Sequence, residues 1–452
     1  MKNNLMIEGN IFKGLILFSI PMLANSLLQQ FFNTADMYFI GNYIGKNAAA
    51  AVGASGVLIT CMIGLFVGIS TGIGVIGARL YGGKRYKELK EAASAALGIG
   101  IIFSIFITII GYCFMETLLI KFQTPKEILK EALQYARMYL LGLFPMMGFH
   151  IYAAVMKAAG EVKIPLISMV IGGLTNIGLD ALFIIHLGYG VIGASLATVI
   201  SQWIVLVLIG YQYHYKLIKK LMINQNAPKL DFKEQYNFGK EVIRIGVPAG
   251  VQAVLLTFSN LIMQYYVNKL GISQVAAFSA YFKIESVIYL PILAMGQTVM
   301  IFISQNKGAG RLIRVKKGAI YGLGLGILLT LVISISMLSV IESIFWIFIK
   351  DNTVIFYGVS ITLVTFPFYF LYAILDITGN VIRGLGNSFI PMCNSIISLC
   401  VIRILILVLW ASSYKDVSKI SYIYPITWFI CAMLNMGILF LLLKKETVTV
   451  RQ

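Results

Sequence analysis

IPMLANSLLQQFFNTADMYFIGNYIG, residues 20–45, and VPAGVQAVLLTFSNLIMQYYVNKLG, residues 247–271, are two writings of one phrase. Pro21 and Pro248, Asn33 and Asn260, and Tyr38 and Tyr265 fall in step, and the closing glycines Gly45 and Gly271 follow with one residue lost from the second copy. Beyond them the register holds at an offset of 226: Gly82 in LYGGKR answers Gly308 in NKGAGR, Gly160 answers Gly386, and Pro165 answers Pro391. Both copies run through apolar sequence, so the chain reads as a duplicated membrane domain.

Composition supports the bilayer. Hydrophobic residues make up 59% of the 452, charged residues 12%, and mean hydropathy is +0.87, which leaves too little polar surface to coat a soluble globule. Apolar stretches long enough to cross a hydrocarbon core of about 30 Å as helices lie near 15–42, 52–78, 91–115, 134–156, 165–186, 190–213, 242–268, 275–303, 317–341, 354–382, 390–411 and 420–443. None shows the alternation of barrel strands, and a backbone in lipid must satisfy its own hydrogen bonds, so the spans are helical. The expected fold is an all-α membrane protein of twelve transmembrane helices in two pseudo-twofold-related six-helix lobes. The lobes are placed at residues 1–212 and 241–452, with a cytoplasmic linker at 213–240 that contains Pro228. Duplicated membrane domains of this kind are the usual construction of secondary transporters.

The net charge of +18 is topological rather than a sign of nucleic-acid binding. Arg79, Lys84, Arg85, Lys87 and Lys90 follow the second span, Lys216, Lys219, Lys220, Lys229, Lys233 and Lys240 the sixth, and Lys307, Arg311, Arg314, Lys316 and Lys317 the eighth. HLGYG after the fifth span has no Lys or Arg, and Lys121, Lys126 and Lys130 are offset by Glu116, Glu127 and Glu131. Basic loops stay inside. The expectation is therefore a multi-pass protein of the cytoplasmic membrane with both termini in the cytoplasm, and with halves inserted in the same orientation. The first apolar stretch lacks a small-residue cleavage site and is long enough to span, so it reads as a helix rather than a signal peptide. Cys61, Cys113, Cys393, Cys400 and Cys431 form no CxxC pair and read as packing residues.

Ionisable residues inside apolar helices cost about 2.5 kcal/mol or more at the bilayer centre and mark candidate sites. Asp36 lies in the first span with Asn33 one turn before it; Asn176 and Asp180 in TNIGLDALFI stand four residues apart, hence on one helix face. Thr198 in the sixth span adds a hydroxyl. Two carboxylates, two carboxamides and a hydroxyl suit a hydrated Na⁺ held by oxygen ligands or a proton shared between acids. The second copy has Met263 and Ile406 where the first has Asp36 and Asp180, so the halves have diverged. Its own charges are Lys283 and Glu285, two residues apart and so on different faces, with Asp376 and Arg403. Charges of mixed sign pair with one another; the competing reading has Glu285 and Asp376, with Gln30 and Asn33 of the first half, along the path of a cationic substrate. His150, alone on an apolar helix, reads as a packing residue.

QQFFNTADMYFIGNYIG, GISTGIGVIGARLYGGKR, TNIGLDALFI with GVIGASLATVISQ, KIESVIYLPILAMGQ with ISQNKGAG, and VIRGLGNSFIPM occur in order from about Pro21 to Arg403. In this ordered set the chain resembles the MATE (multidrug and toxic compound extrusion) transporters. The resemblance implies a V-shaped pair of lobes around a central cavity and an antiporter that exports amphipathic organic cations against H⁺ or Na⁺ by alternating access. It implies no enzyme activity and no cofactor, and small-molecule substrates, lipid and a monomer as its setting. Asp36, Asn176, Asp180 and Thr198 match the cation site of the archaeal and DinF-like members. The acidic cluster of the NorM-like branch has no counterpart: GVQAVLLTFSNLIMQYY holds no carboxylate, and Tyr372 stands about where that branch has an aspartate. A flippase for lipid-linked precursors is the alternative; it would line its cavity with several arginines, whereas Arg403 is the only one well inside a span. HExxH and GxSxG are missing, which argues against an intramembrane enzyme.

Overall fold

A computed structural model describes residues 5–221, 232–410 and 416–448; Pro228 and Lys229 of the linker lie outside the described residues. The described chain is helical, with no strand. We number its helices α1 Ile11–Ile44, α2 Lys46–Gly82, α3 Tyr86–Lys121, α4 Lys126–Leu140, α5 Leu143–Ala158, α6 Lys163–His186, α7 Gly190–Ile218, α8 Lys233–Asn268, α9 Ile272–Gly308, α10 Leu312–Leu338, α11 Ile341–Phe348, α12 Asn352–Gly384, α13 Phe389–Trp410 and α14 Val417–Lys445. Eleven are long and apolar enough to span alone, and α4 with α5, bent by 47°, make the twelfth.

The sequence puts one straight span at 134–156, where the structure has the bent pair. A Cβ on Gly142, at the bend, would stand 3.1 Å from the Val199 side chain on α7, and Pro145 in the next turn has no N–H to return to Leu141. α12 is broken similarly, by a 3₁₀ turn at Phe366–Phe368 around Pro367. The Ser334 hydroxyl donates to the Phe366 carbonyl at 2.6 Å, satisfying a group the turn exposes. Pro21 lies well inside α1, which begins at Ile11. The repeated glycines do the same work in each copy: Gly45 and Gly271 take φ of 122° and 111°, Gly160 and Gly386 of 86° and 99°, a region that only glycine enters freely.

Two compact units emerge from the contacts, residues 24–250 and residues 1–23 with 251–452. In the first, α2 is the central helix, packed on α3, α4 and α5. Its approach to the first half of α8 is backbone on backbone: a Cβ on Gly68 would stand 2.4 Å from the Gly250 nitrogen, and one on Gly72 2.4 Å from the Val242 carbonyl. Small residues let membrane helices gain van der Waals contact where lipid offers no hydrophobic drive. The basic end of this unit is tied by ion pairs, Arg79 to Glu241 at 2.5 Å and Lys220 to Glu161; near the other end Glu116 meets Arg137 at 3.6 Å.

In the second unit α9 is central, packed on α10 and α12, with α14 behind α12. The segment before α1 is bound to it through its main chain. Asn306 donates to the Met6 carbonyl at 3.0 Å, Arg314 to the same carbonyl at 3.2 Å, and Arg311 to that of Ile7 at 2.6 Å. Met6 itself is buried. Of the cysteines, all free, Cys400 and Cys431 are buried as packing residues, whereas Cys113 is exposed on α3.

Gly68→Ala should lower stability by about 1–3 kcal/mol, because an added methyl forces two backbones apart, whereas Gly98→Ala, with open space around its Cβ, should be neutral or gain about 0.5–1 kcal/mol. Thermal melts of the purified variants decide it; equal melting points would mean that the α2–α8 contact is not tight.

Candidate functional site

The unit formed by residues 24–250 holds a cavity of about 380 Å³, open on one side. Six helices furnish its polar lining: Gln29, Asn33 and Asp36 from α1, Thr60 from α2, Tyr135 and Tyr139 from α4, His150 from α5, Asn176 from α6, and Thr198, Ser201 and Gln202 from α7. The last regular turn of α6 carries Asn176 and Asp180 on the face that meets α7, and its backbone then loosens into a π-helical stretch from Ala181 to His186. Such widened turns are common at functional positions. Asp180 is fully buried behind the cavity wall and Asn176 is 6% exposed.

Three of the four residues predicted to form a cation site, Asp36, Asn176 and Thr198, thus line one cavity, and the fourth, Asp180, has its carboxyl within hydrogen-bonding reach of the Asp36 carboxyl. A bond between two carboxylates requires a proton. Without one, both oxygens of Asp180, Oδ1 of Asp36 and Nδ2 of Asn176 are buried with no partner. The Thr198 hydroxyl donates to the Ala194 carbonyl of its own helix at 3.1 Å, which turns its oxygen lone pairs outward as acceptors. The set is rich in oxygen acceptors and short of donors, the chemistry of a small hard cation or a shared proton. Among the described residues no three His, Cys, Asp or Glu gather as a metal site.

Of the candidates for a substrate path, Asn33 lines the cavity together with Gln29; Gln30 is exposed outside the lining, its carbonyl accepting from Thr34 at 2.9 Å. The other two belong to the second unit. Glu285 Oε1 accepts from the hydroxyls of Tyr369 at 2.5 Å and Tyr281 at 3.2 Å, while Lys283 is exposed on another face. Arg403, 3% exposed, lies over the Tyr424 ring at 5.0 Å and donates to Asn260 at 3.2 Å and Thr427 at 3.4 Å. Asp376 accepts from Asn380 at 3.0 Å; Arg383 links Asn380 at 3.1 Å to Gln252 at 2.6 Å. Gly296 makes room for this chain, since a Cβ there would stand 2.2 Å from Asp376 Oδ2. His150, read from sequence as packing, is on the cavity wall. Its one signal in the sequence is Lys157, seven residues on and so on the same helical face.

A duplicated bundle of apolar helices with a polar, acid-bearing cavity inside one unit is the build of a polytopic membrane transporter. The MatE family model matches residues 21–182 and again 248–409, one match on each copy of the repeat, and the chain belongs to that family of multidrug efflux transporters; it is not an enzyme. It is similar to the "Probable multidrug resistance protein YoeA" of Bacillus subtilis strain 168, 23% identical over 98% of this chain and 96% of that one. It is also similar to the "Multidrug export protein MepA" of Staphylococcus aureus strain N315, 24% identical over 98% and 96%. A crystal structure of MATE in the bent conformation superposes with a TM-score of 0.91 at 20% identity, covering all of both chains.

Tyr369→Phe removes one of the two hydroxyls held by Glu285 and should destabilise by about 1–3 kcal/mol, the usual cost of stranding a buried charged acceptor; a thermal melt indistinguishable from that of the parent protein would show that Glu285 does not depend on this bond.

Proposed function

We propose that the chain is a secondary active antiporter that exports amphipathic organic cations in exchange for H⁺ or Na⁺ by alternating access, with Asp36, Asn176, Asp180 and Thr198 as the coupling site. The observation that carries this reading is the pair of facing carboxyl groups with no donor between them. Two ionised carboxylates in one buried place repel and are poorly solvated, so a proton or Na⁺ is bound there in preference to leaving both charges bare. Loading the site draws α1, α6 and α7 together around a neutralised pair; unloading frees them. Coupling follows when substrate and ion bias that same two-state element in opposite senses.

A cationic, amphipathic substrate agrees with the cavity wall, where Asp36 stands among Phe32, Met37, Met146, Phe149 and Met169 and no Lys or Arg is present. The lipid-linked flippase would need the opposite charge. The multidrug descriptions of YoeA and MepA point the same way. The basic loops after α2, α7 and α9 support cytoplasmic termini in the cytoplasmic membrane, with lobes at 1–212 and 241–452 and one chain as the working unit.

Efflux of ethidium from proteoliposomes, driven by a pH gradient alone and then by a Na⁺ gradient alone, tests the proposal. One gradient should drive export, and Asp36→Asn should reduce it at least tenfold, about 1.4 kcal/mol or more of coupling, while the protein still inserts and purifies. Gradient-driven export by Asp36→Asn at the parental rate would remove the coupling site.

A further inference from the structure

We propose that a groove on the lipid side of α5 binds an acyl chain of an anionic phospholipid, whose headgroup sits on ammonium groups at the basic end of α3 and α7. The groove lies within the unit of residues 24–250, between α3, α5 and α7, and measures about 330 Å³. No charged side chain lines it, and Tyr152 and Tyr211 carry its only hydroxyls. Its rim is exposed, Ile101 by 42% and Val207 by 64%, so in a bilayer it opens to the hydrocarbon. Gly100, Gly148 and Gly210, one from each helix, lower the ridges along it. A recess of this shape left unfilled forfeits dispersion contacts on its walls, and a methylene chain is what the bilayer supplies to fill it.

Charge and aromatic rings at one end select the headgroup. α3 begins, and α5 and α7 end, at the basic side of this unit, so Leu97, Tyr152 and Tyr211 mark the end of the groove nearest to it. Lys90 precedes Leu97 by seven residues, two turns on the same face and about 10 Å along the axis. Lys87 is its neighbour one turn further out. On α7, His214 follows Gly210 by four residues, and the π-helical stretch Tyr213–Ile218 brings Lys219 round five residues after His214. Lys87, His214 and Lys219 are exposed. Lys87, Lys90 and Lys219 have no ion-pair partner among the described residues, whereas the acids around them are engaged: Glu88 with Arg85, Glu161 with Lys220, and Glu91 with Gln235. Tyr211 meets Tyr215 at 4.5 Å, and Tyr152 meets Tyr213 at 4.9 Å; such amphipathic rings favour the headgroup level. Basic pockets between membrane helices recognise anionic headgroups in this way. A leaflet contributes about 15 Å of hydrocarbon, so a chain entering beside Lys90 reaches along the groove.

One helix separates the groove from the acid-bearing cavity. α5 turns Met146, Phe149 and His150 to the cavity and Met147, Ile151 and Tyr152 to the groove; α7 likewise divides Ser201 and Gln202 from Leu206 and Val207. A bound chain therefore braces the cavity wall from the lipid side and stabilises the arrangement in which the groove is filled. The lipid site goes beyond the antiport reading and does not depend on which ion is exchanged.

Native mass spectrometry of the detergent-purified protein, titrated with dioleoyl phosphatidylglycerol or dioleoyl phosphatidylcholine, tests the assignment. The parent should retain one phosphatidylglycerol about tenfold or more tightly than phosphatidylcholine, within what three lysines near a headgroup supply. Gly210→Leu, where an added Cβ meets nothing closer than Tyr152 at 3.6 Å, fills the groove and should lose that lipid. Lys87→Gln, Lys90→Gln and Lys219→Gln combined should still hold one lipid but without preference for the anionic headgroup. Equal retention of the two lipids by the parent overturns the site, as does a phosphatidylglycerol that Gly210→Leu binds as tightly as the parent. Displacement of the lipid by ethidium would make the groove a substrate site, and a lipid-free dimer would put a second copy there; either overturns the lipid assignment. Trp203, its ring 5.4 Å from that of the lining residue Phe144, gives a readout that needs no groove variant. In mixed vesicles, phosphatidylglycerol brominated on its acyl chains should quench Trp203, taken as the parent minus Trp203→Phe, more strongly than brominated phosphatidylcholine. Equal quenching overturns the proposal even if Gly210→Leu folds poorly.

Discussion

Two carboxyl groups among apolar helices, Asp180 buried and Asp36 on the cavity wall, within reach of each other and with no donor between them, set the demand that the unit of residues 24–250 is built to meet. Lipid supplies nothing to neutralise them, and an uncompensated buried ion costs several kcal/mol. The answer is a walled cavity of modest size whose polar groups come from six helices, each held by contacts made elsewhere. α2 fixes α3, α4 and α5 around itself, and the bend at Leu141–Gly142 aims the α5 half of its span across the cavity floor, carrying His150 with it. The glycines that let α2 touch the α8 backbone keep that scaffold from loosening when the charge inside changes.

The second unit solves a related problem in the opposite way. Its acids are not left facing one another: Glu285 has two tyrosine hydroxyls, Asp376 has Asn380, and Arg383 and Arg403 balance the charge within hydrogen-bonded chains that run from helix to helix. Such satisfied networks rigidify a membrane bundle. One copy of the ancestral repeat therefore keeps an electrostatic demand open, while the other has closed it with hydroxyl, amide and guanidinium donors, a division already visible where Met263 and Ile406 replace the aspartates.

Most of this fold was legible because the residues that punctuate it act on the backbone directly. Gly45 with Gly271, and Gly160 with Gly386, repeat in sequence and repeat in positive φ, and twelve apolar runs become twelve crossings. Bends were not legible, since hydropathy is indifferent to direction: the break in the fourth span and the 3₁₀ turn at Pro367 leave composition unchanged. Asp36, Asn176, Asp180 and Thr198 stood out because each is costly in lipid, whereas Gln30 and Gln29 differ only in which side of α1 they take. His150 escaped because a single polar residue on an apolar helix looks the same whether its face meets a neighbour or an empty space.

The clasp on the segment before α1 has a consequence for how this chain can drift and be engineered. Arg311, Arg314 and Asn306 grip main-chain carbonyls, and only the Met6 side chain is buried with them. Residue identity at Ile7 is therefore free to wander while the number of residues between Met6 and the start of α1 is not. Homologous chains under this constraint should vary in spelling there but seldom in length, and an affinity tag fused ahead of Met6 should be harmless where a one-residue deletion after it would pull the clasp out of register.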